Sequence, residues 1–178
     1  PDILFVIQRV LEDGSLMLTE DHGRIVKAHP LFRFTSTANT RGQGDEYGIY
    51  QGTRTLNTAL IDRFPVFIEF TYLKKDVEMK LIKSRHPDID DNMLEQIVVF
   101  ANEVRAAFMN GELFQPITPR GLNVLTEMFL HFNKVGVSAA GKALQMSLEM
   151  TVYDRTTRDT VQKVKELADR CFMVKDAA

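Results

Sequence analysis

The rhythm of apolar and polar positions changes several times along this chain, and each change marks an element. Ile3, Val6, Ile7, Val10 and Leu11 recur at helical spacing and predict a helix over residues 2–12, with Gly14 placed to end it. Its apolar stripe is broad, as in a helix that lies against a sheet. Residues 16–19 and 24–27 are short strand-like runs on either side of Asp21-His22-Gly23, the pattern of a hairpin. Residues 32–37 are β-rich and predict a strand that runs into Ala38-Asn39-Thr40. Residues 41–52 hold four glycines in twelve positions, so no regular element is expected there. Leu56, Leu60, Ile61 and Phe64 return to helical spacing. Residues 65–70 then read as a second sheet strand, with Pro65 at its first position, where no ladder donor is needed.

After Tyr72 the strand signals stop. Asp76 can cap a helix over 77–85. Asp90 or Asp91 can cap a longer one that carries Met93, Leu94, Ile97, Val98, Ala101, Val104 and Phe108 on one side and ends before Gly111. Thr118-Pro119 joins an N-cap to a proline at the first helical position, ahead of Leu122, Leu125, Phe129 and Phe132. Two more helices are expected within 139–150 and 158–172. The fold class is therefore α/β over residues 1–72, with a hairpin at 15–28, followed by an all-helical part over 73–178. Two strands and a hairpin are too few for a stable open sheet, so the first part reads as half of an α/β domain. The chain starts at Pro1 and turns helical within two residues, so it is expected to be a piece of a longer protein.

Composition narrows the function. The chain has 178 residues, 44% of them hydrophobic and 26% charged, with a formal net charge of −2, which is ordinary globular composition. Acid and base are balanced in both parts, and no basic–aromatic cluster is present, so no nucleic-acid partner is expected. No 18-residue apolar run exists, so no membrane span is expected. A lone Cys171, on an apolar helix side, reads as a core thiol in a reducing compartment, and a cytoplasmic setting is the expectation.

Most motif matches fail on their chemistry. Gly136-Val-Ser-Ala-Ala-Gly141-Lys142-Ala143 fits a phosphate loop up to its last position, where Ala replaces the hydroxyl that ligands Mg²⁺. Gly42-Gln-Gly44-Asp45-Glu46-Tyr47-Gly48 does not have dinucleotide spacing. Asp88-Ile-Asp90-Asp91-Asn92 opens like a calcium loop, but Met93 and Val99 stand where Gly and Glu are needed. His22, His29, His86 and His131 have no partners at zinc spacing, so no metal site is expected in this chain. Three polar residues at element ends remain. Asn39 ends a strand at the carboxyl edge, where α/β ligands bind; Arg63 ends a helix; Arg120 stands in the first turn capped by Thr118.

These three positions carry a resemblance. Thr37-Ala38-Asn39-Thr40, Leu60-Ile61-Asp62-Arg63-Phe64 and Ile117-Thr118-Pro119-Arg120 make the chain similar to the second half of an AAA+ ATPase module. Within that superfamily it resembles the MoxR-like branch, and most closely the ATPase subunits of aerobic cobaltochelatases. The carriers of that closeness are residues 2–12, His29-Pro-Leu-Phe-Arg-Phe34, Gly44-Asp45, Gly48-Ile-Tyr50, Gly52-Thr53 and Asp169-Arg170-Cys171-Phe172. The resemblance implies a partial parallel sheet with a hairpin insertion, then a helical lid. It implies that Asn39 is sensor 1, Arg63 an arginine finger acting on the neighbouring subunit's nucleotide, and Arg120 sensor 2 on the lid. Walker A and Walker B, which precede the first helix in that family, are absent from this sequence. The fragment alone is therefore expected to be inactive, with the main ligands of ATP and Mg²⁺ upstream.

The implied assembly is a homo-oligomeric ring, expected as a hexamer, working with chelatase subunits that bind the metal and the corrin. ATP hydrolysis would drive cobalt insertion in cobalamin biosynthesis. The alternatives are a MoxR-type chaperone that remodels another enzyme and a non-catalytic interaction module.

Overall fold

The computed structural model describes residues 4–38, 55–136 and 141–172. Among them are seven α-helices and one two-stranded antiparallel sheet, so the chain is mixed α and β. It divides into two compact units, Pro1–Phe70 and Thr71–Ala178.

In the first unit, helix α1 (Leu4–Asp13) ends at Gly14, whose φ of +68° is readily reached only without a side chain. The chain turns there into strand β1 (Ser15–Leu18), which pairs with β2 (Arg24–Lys27) in the register Leu16↔Val26 and Met17↔Ile25. Between the strands, Gly23 takes φ +74°, and the Asp21 carboxylate accepts from Arg24 Nε at 2.6 Å. The Asp13 carboxyl is held below its ordinary value, because its side chain accepts hydrogen bonds from Ser15, with Arg9 adding a weaker attraction. Helix α2 (Thr58–Ile61) is one turn long and is capped by the Asn57 side chain, which accepts from Ala59 N at 2.8 Å.

The expected partial parallel sheet does not form among the described residues. Neither 32–38 nor 65–70 takes part in a ladder, and their apolar side chains are in solvent: Val66 is 70% exposed, Ile68 71% and Phe70 90%. A hairpin finds its partner strand a few residues away. A parallel strand needs a neighbour delivered by a long crossover, and the described residues offer none.

The second unit is a helical bundle. Helices α3 (Lys75–Arg85), α4 (Asp91–Met109), α5 (Pro119–Lys134), α6 (Lys142–Thr151) and α7 (Val161–Phe172) follow in order, with a 3-10 turn at Tyr153–Arg155. α4 packs against α3, α5 and α7, and α5 also packs on α6. That central place explains why α4 is buried on more than one side, through Leu94, Ile97, Val98, Phe100, Ala101, Val104 and Phe108. The rings of Phe100 and Phe172 meet at 5.3 Å. Asp90 caps α4 by accepting from Met93 N at 3.0 Å, and α4 ends in paired bonds from Gly111 N to Phe108 O and from Glu112 N to Ala107 O, the geometry that a left-handed glycine permits. Asp76 does not cap α3. The helix starts earlier, after Lys74, and Asp76 sits in its first turn with Glu78, where a carboxylate still favours the positive end of the helix dipole. Among the described residues, no helix is long and apolar enough to cross a membrane.

Candidate functional site

Arg63 follows α2 in the first unit. The backbone stays coiled past the helix end, with Arg63 N donating to Leu60 O at 3.2 Å and Phe64 N to Ile61 O at 3.0 Å. This folds the Arg63 side chain back along α2. Its Nη1 donates to the Ala59 carbonyl and its Nη2 to the Glu12 carboxylate at the end of α1. The Arg63 side chain is 21% exposed and that of Glu12 48%. Nε is covered and has no hydrogen-bond partner among the described residues. The guanidinium is thus partly desolvated and held by one carboxylate, with one donor unsatisfied. A pair this open contributes at most about 1 kcal/mol, so a better anion can displace Glu12. The delocalised, permanent charge of Arg63 suits a phosphate.

Arg120 belongs to the second unit. The Thr118 hydroxyl accepts from Gly121 N at 3.1 Å, and Pro119 opens the helix, as the spacing of these residues predicts. Arg120 is exposed and has no hydrogen bond or ion pair among the described residues. A cation at the positive end of a helix is locally unfavourable, so this first turn is electropositive and suited to an anion. Asn39 lies outside the described residues, so its placement adds nothing to the other two.

Behind Arg120 the structure reveals a charged group that sequence reasoning missed. Arg105 of α4 is 3% exposed and forms a two-pronged ion pair with Glu78 of α3, at 2.7 and 2.9 Å. Its Nε donates at 2.6 Å to the carbonyl of Ile117, the residue before the α5 cap. The signal was faint but present: Arg105 falls between Ala101 and Phe108 on the apolar stripe of α4, at spacings of four and three.

The other candidates do not assemble into a site. Among the described residues, no three His, Cys, Asp or Glu side chains come together in a cluster that could hold a metal ion. His86 Nε2 meets Asn123 Oδ1 at 3.1 Å, and His29 Nδ1 accepts from Leu31 N at 3.2 Å. The near phosphate loop falls largely on 137–140, outside the described residues; Lys142 opens α6 and Ala143 is buried in it. Cys171 is half-buried rather than fully in the core, and burial, with Glu103 nearby, pushes its thiol above the ordinary range. Tyr153 is pushed up to about 12, mainly by burial and then by Asp169 and Glu149.

No protein-family model matches the chain. Among curated proteins, the aerobic cobaltochelatase subunit CobS of Sinorhizobium sp. is 38% identical over 124 residues, which is 67% of this chain and 37% of that subunit. An uncharacterized protein of Staphylococcus haemolyticus is 29% identical over 113 residues, 64% of this chain and 40% of its own length. An uncharacterized protein of Staphylococcus aureus is 30% identical over 113 residues, with the same shares of 64% and 40%. The chain thus spans well under half the length of the curated relatives it matches, and its sequence is CobS-like.

Proposed function

From the likeness to CobS, we propose that this chain is part of an AAA+ motor of the MoxR-like branch that serves as the ATPase component of a cobaltochelatase. The observation that carries this reading is the 38% identity over 67% of the chain. Residues 1–72 then complete the α/β core and 73–178 form the helical lid. Segments of the longer protein supply the phosphate loop, the Mg²⁺ ligands and the strands that lie beside 32–37 and 65–70.

In this reading Asn39 orients the attacking water, Arg63 reaches the γ-phosphate held by the neighbouring subunit, and Arg120 reaches the phosphates of its own. Phosphoryl transfer spreads negative charge over equatorial oxygens, and an arginine supplied in trans is worth about 10³–10⁵ in rate, or roughly 4–7 kcal/mol. The Glu12 contact to be given up is worth about 1 kcal/mol at most, so the exchange from carboxylate to phosphate is downhill in the transition state. A site completed by a neighbour also requires a ring, because such head-to-tail contacts must close.

The test is ATP turnover by the full-length protein. Arg63→Ala should leave nucleotide affinity within about twofold and lower turnover by about 10³ or more. Arg120→Ala should weaken affinity as well. Equal loss of affinity in both variants, or turnover by this 178-residue chain alone, overturns the reading. Cobalt insertion into a corrin, assayed with the partner subunits, separates a chelatase motor from one that remodels another enzyme.

A further inference from the structure

The core of the helical unit holds a salt bridge where apolar side chains would fit. Glu78 is fully buried and Arg105 nearly so. The guanidinium is almost completely used. Nη1 donates to Glu78 Oε2 at 2.7 Å and Asn102 Oδ1 at 3.1 Å, Nη2 to Glu78 Oε1 at 2.9 Å, and Nε to Ile117 O at 2.6 Å. The Tyr72 ring covers the other side, with its centroid 4.2 Å from Cζ. Stability alone does not call for this group, since apolar residues of similar size often replace a buried ion pair without loss. Apolar residues cannot do what the fork does, which is to tie three segments together with directional bonds. Those segments are the start of the unit at Tyr72, the first turn of α3 at Glu78, and Ile117.

The bond to Ile117 matters most. Packing of Leu125 and Thr126 fixes the middle of α5, whereas Pro119 and Arg120 at its start are exposed and that turn is held by the Thr118 cap and by buried Leu122 at its end. Arg120 lies in that turn, three residues beyond the carbonyl that Arg105 holds. We infer that Arg105 is a positioning residue for Arg120: through Ile117 it fixes the first turn of α5, and so sets where the Arg120 guanidinium can reach. The inference rests on the reading of Arg120 as a residue that binds nucleotide phosphate. Without the tie the first turn frays, and Arg120 must be ordered again each time it binds.

The experiment uses the full-length protein and the double variant Glu78→Leu/Arg105→Met, which removes both charges together and leaves none buried alone. Amide hydrogen exchange at Gly121 and Leu122 should rise about tenfold or more, while Thr126, deeper in α5, is unchanged. ADP affinity, measured by calorimetry, should fall to near the level of Arg120→Ala. Adding Arg120→Ala to the double variant should then cost less than about twofold more. Unchanged exchange at Gly121 and Leu122 overturns the inference, as does an Arg120→Ala cost that is the same in both backgrounds. If Arg120→Ala leaves ADP affinity intact in the parent protein, the nucleotide reading of Arg120 fails; the positioning role then falls with it, and the exchange data still report whether Arg105 anchors the turn. The double variant Glu78→Gln/Arg105→Gln, which likewise leaves no charge buried alone, should move both readouts in the same direction and keeps the comparison if the first double variant does not fold.

Discussion

The two units differ in what they bury. Thr71–Ala178 has a contiguous apolar core centred on α4, from Ile82 to Phe172. In Pro1–Phe70, Ser15 is buried, while Leu31, Val66, Phe67, Ile68 and Phe70 are largely in solvent. Their compositions are similar, so hydrophobicity does not explain the contrast. Helices satisfy their backbone within a few residues and then need only a neighbouring stripe, which the next helix supplies. Strands satisfy theirs across distance, and among the described residues 32–38 and 65–70 meet no partner strand.

Substitution at one apolar residue in each unit gives the largest test of this contrast. Phe100→Ala should destabilise the helical unit by about 3–5 kcal/mol in denaturant unfolding, since its ring is fully buried against Phe172. Phe67→Ser should change the stability of this 178-residue chain by less than about 0.5 kcal/mol. In the full-length protein, if 65–70 becomes a central strand, the same Phe67→Ser should cost several-fold more. Equal small costs in both contexts would break the proposed sheet.

A smaller difference should appear at the helix caps. Asp90→Ala removes the acceptor for Met93 N at the head of the central helix and should cost about 1 kcal/mol. Asn57→Ala removes an equivalent bond from a single exposed turn and should cost no more than a few tenths. A larger loss at Asn57 would mean that α2 is better packed than its exposure indicates.

The smallest effects are in pH dependence, and they run in opposite directions. Asp13 in the first unit is held low, so its contribution is present above the unfolded carboxylate range and fades as pH falls through the lowered value. Cys171 in the second is raised by burial, so its contribution is present below the unfolded thiol value and fades as pH rises through the folded one. Alkylation of Cys171 at pH 8 should therefore be slower in the folded chain than in denaturant. Tyr153 should stay protonated until about pH 12 in an ultraviolet titration. Reaction of Cys171 at the unfolded rate would show that the last turn of α7 is open.

Legibility in the sequence followed the range of the interactions. The hairpin, the Thr118-Pro119 helix start, the Asp90 cap and the Gly111 stop rest on bonds spanning a few residues, and local pattern is enough to find them. The strand patterns at 32–37 and 65–70 have the right alternation and no described partner, because pairing depends on residues far away. Asp76 fits capping as well as Lys74 does not, yet helix α3 begins earlier, because first-turn acids also favour that end. The Arg105–Glu78 pair spans 27 positions, and no local rule shows that an arginine on α4 will meet a carboxylate on α3. Arg63 stands out in its sequence context, but its hold on Glu12, 51 positions away, arises only from the folded chain.

The exposed side chains of Val66, Ile68 and Phe70 have a consequence for the life of this polypeptide in a cell. Apolar stretches left in solvent are what chaperones bind and quality-control proteases read. In a longer protein of the proposed kind, the stretch would be open only until neighbouring strands fold over it, which makes it a point of chaperone contact during synthesis.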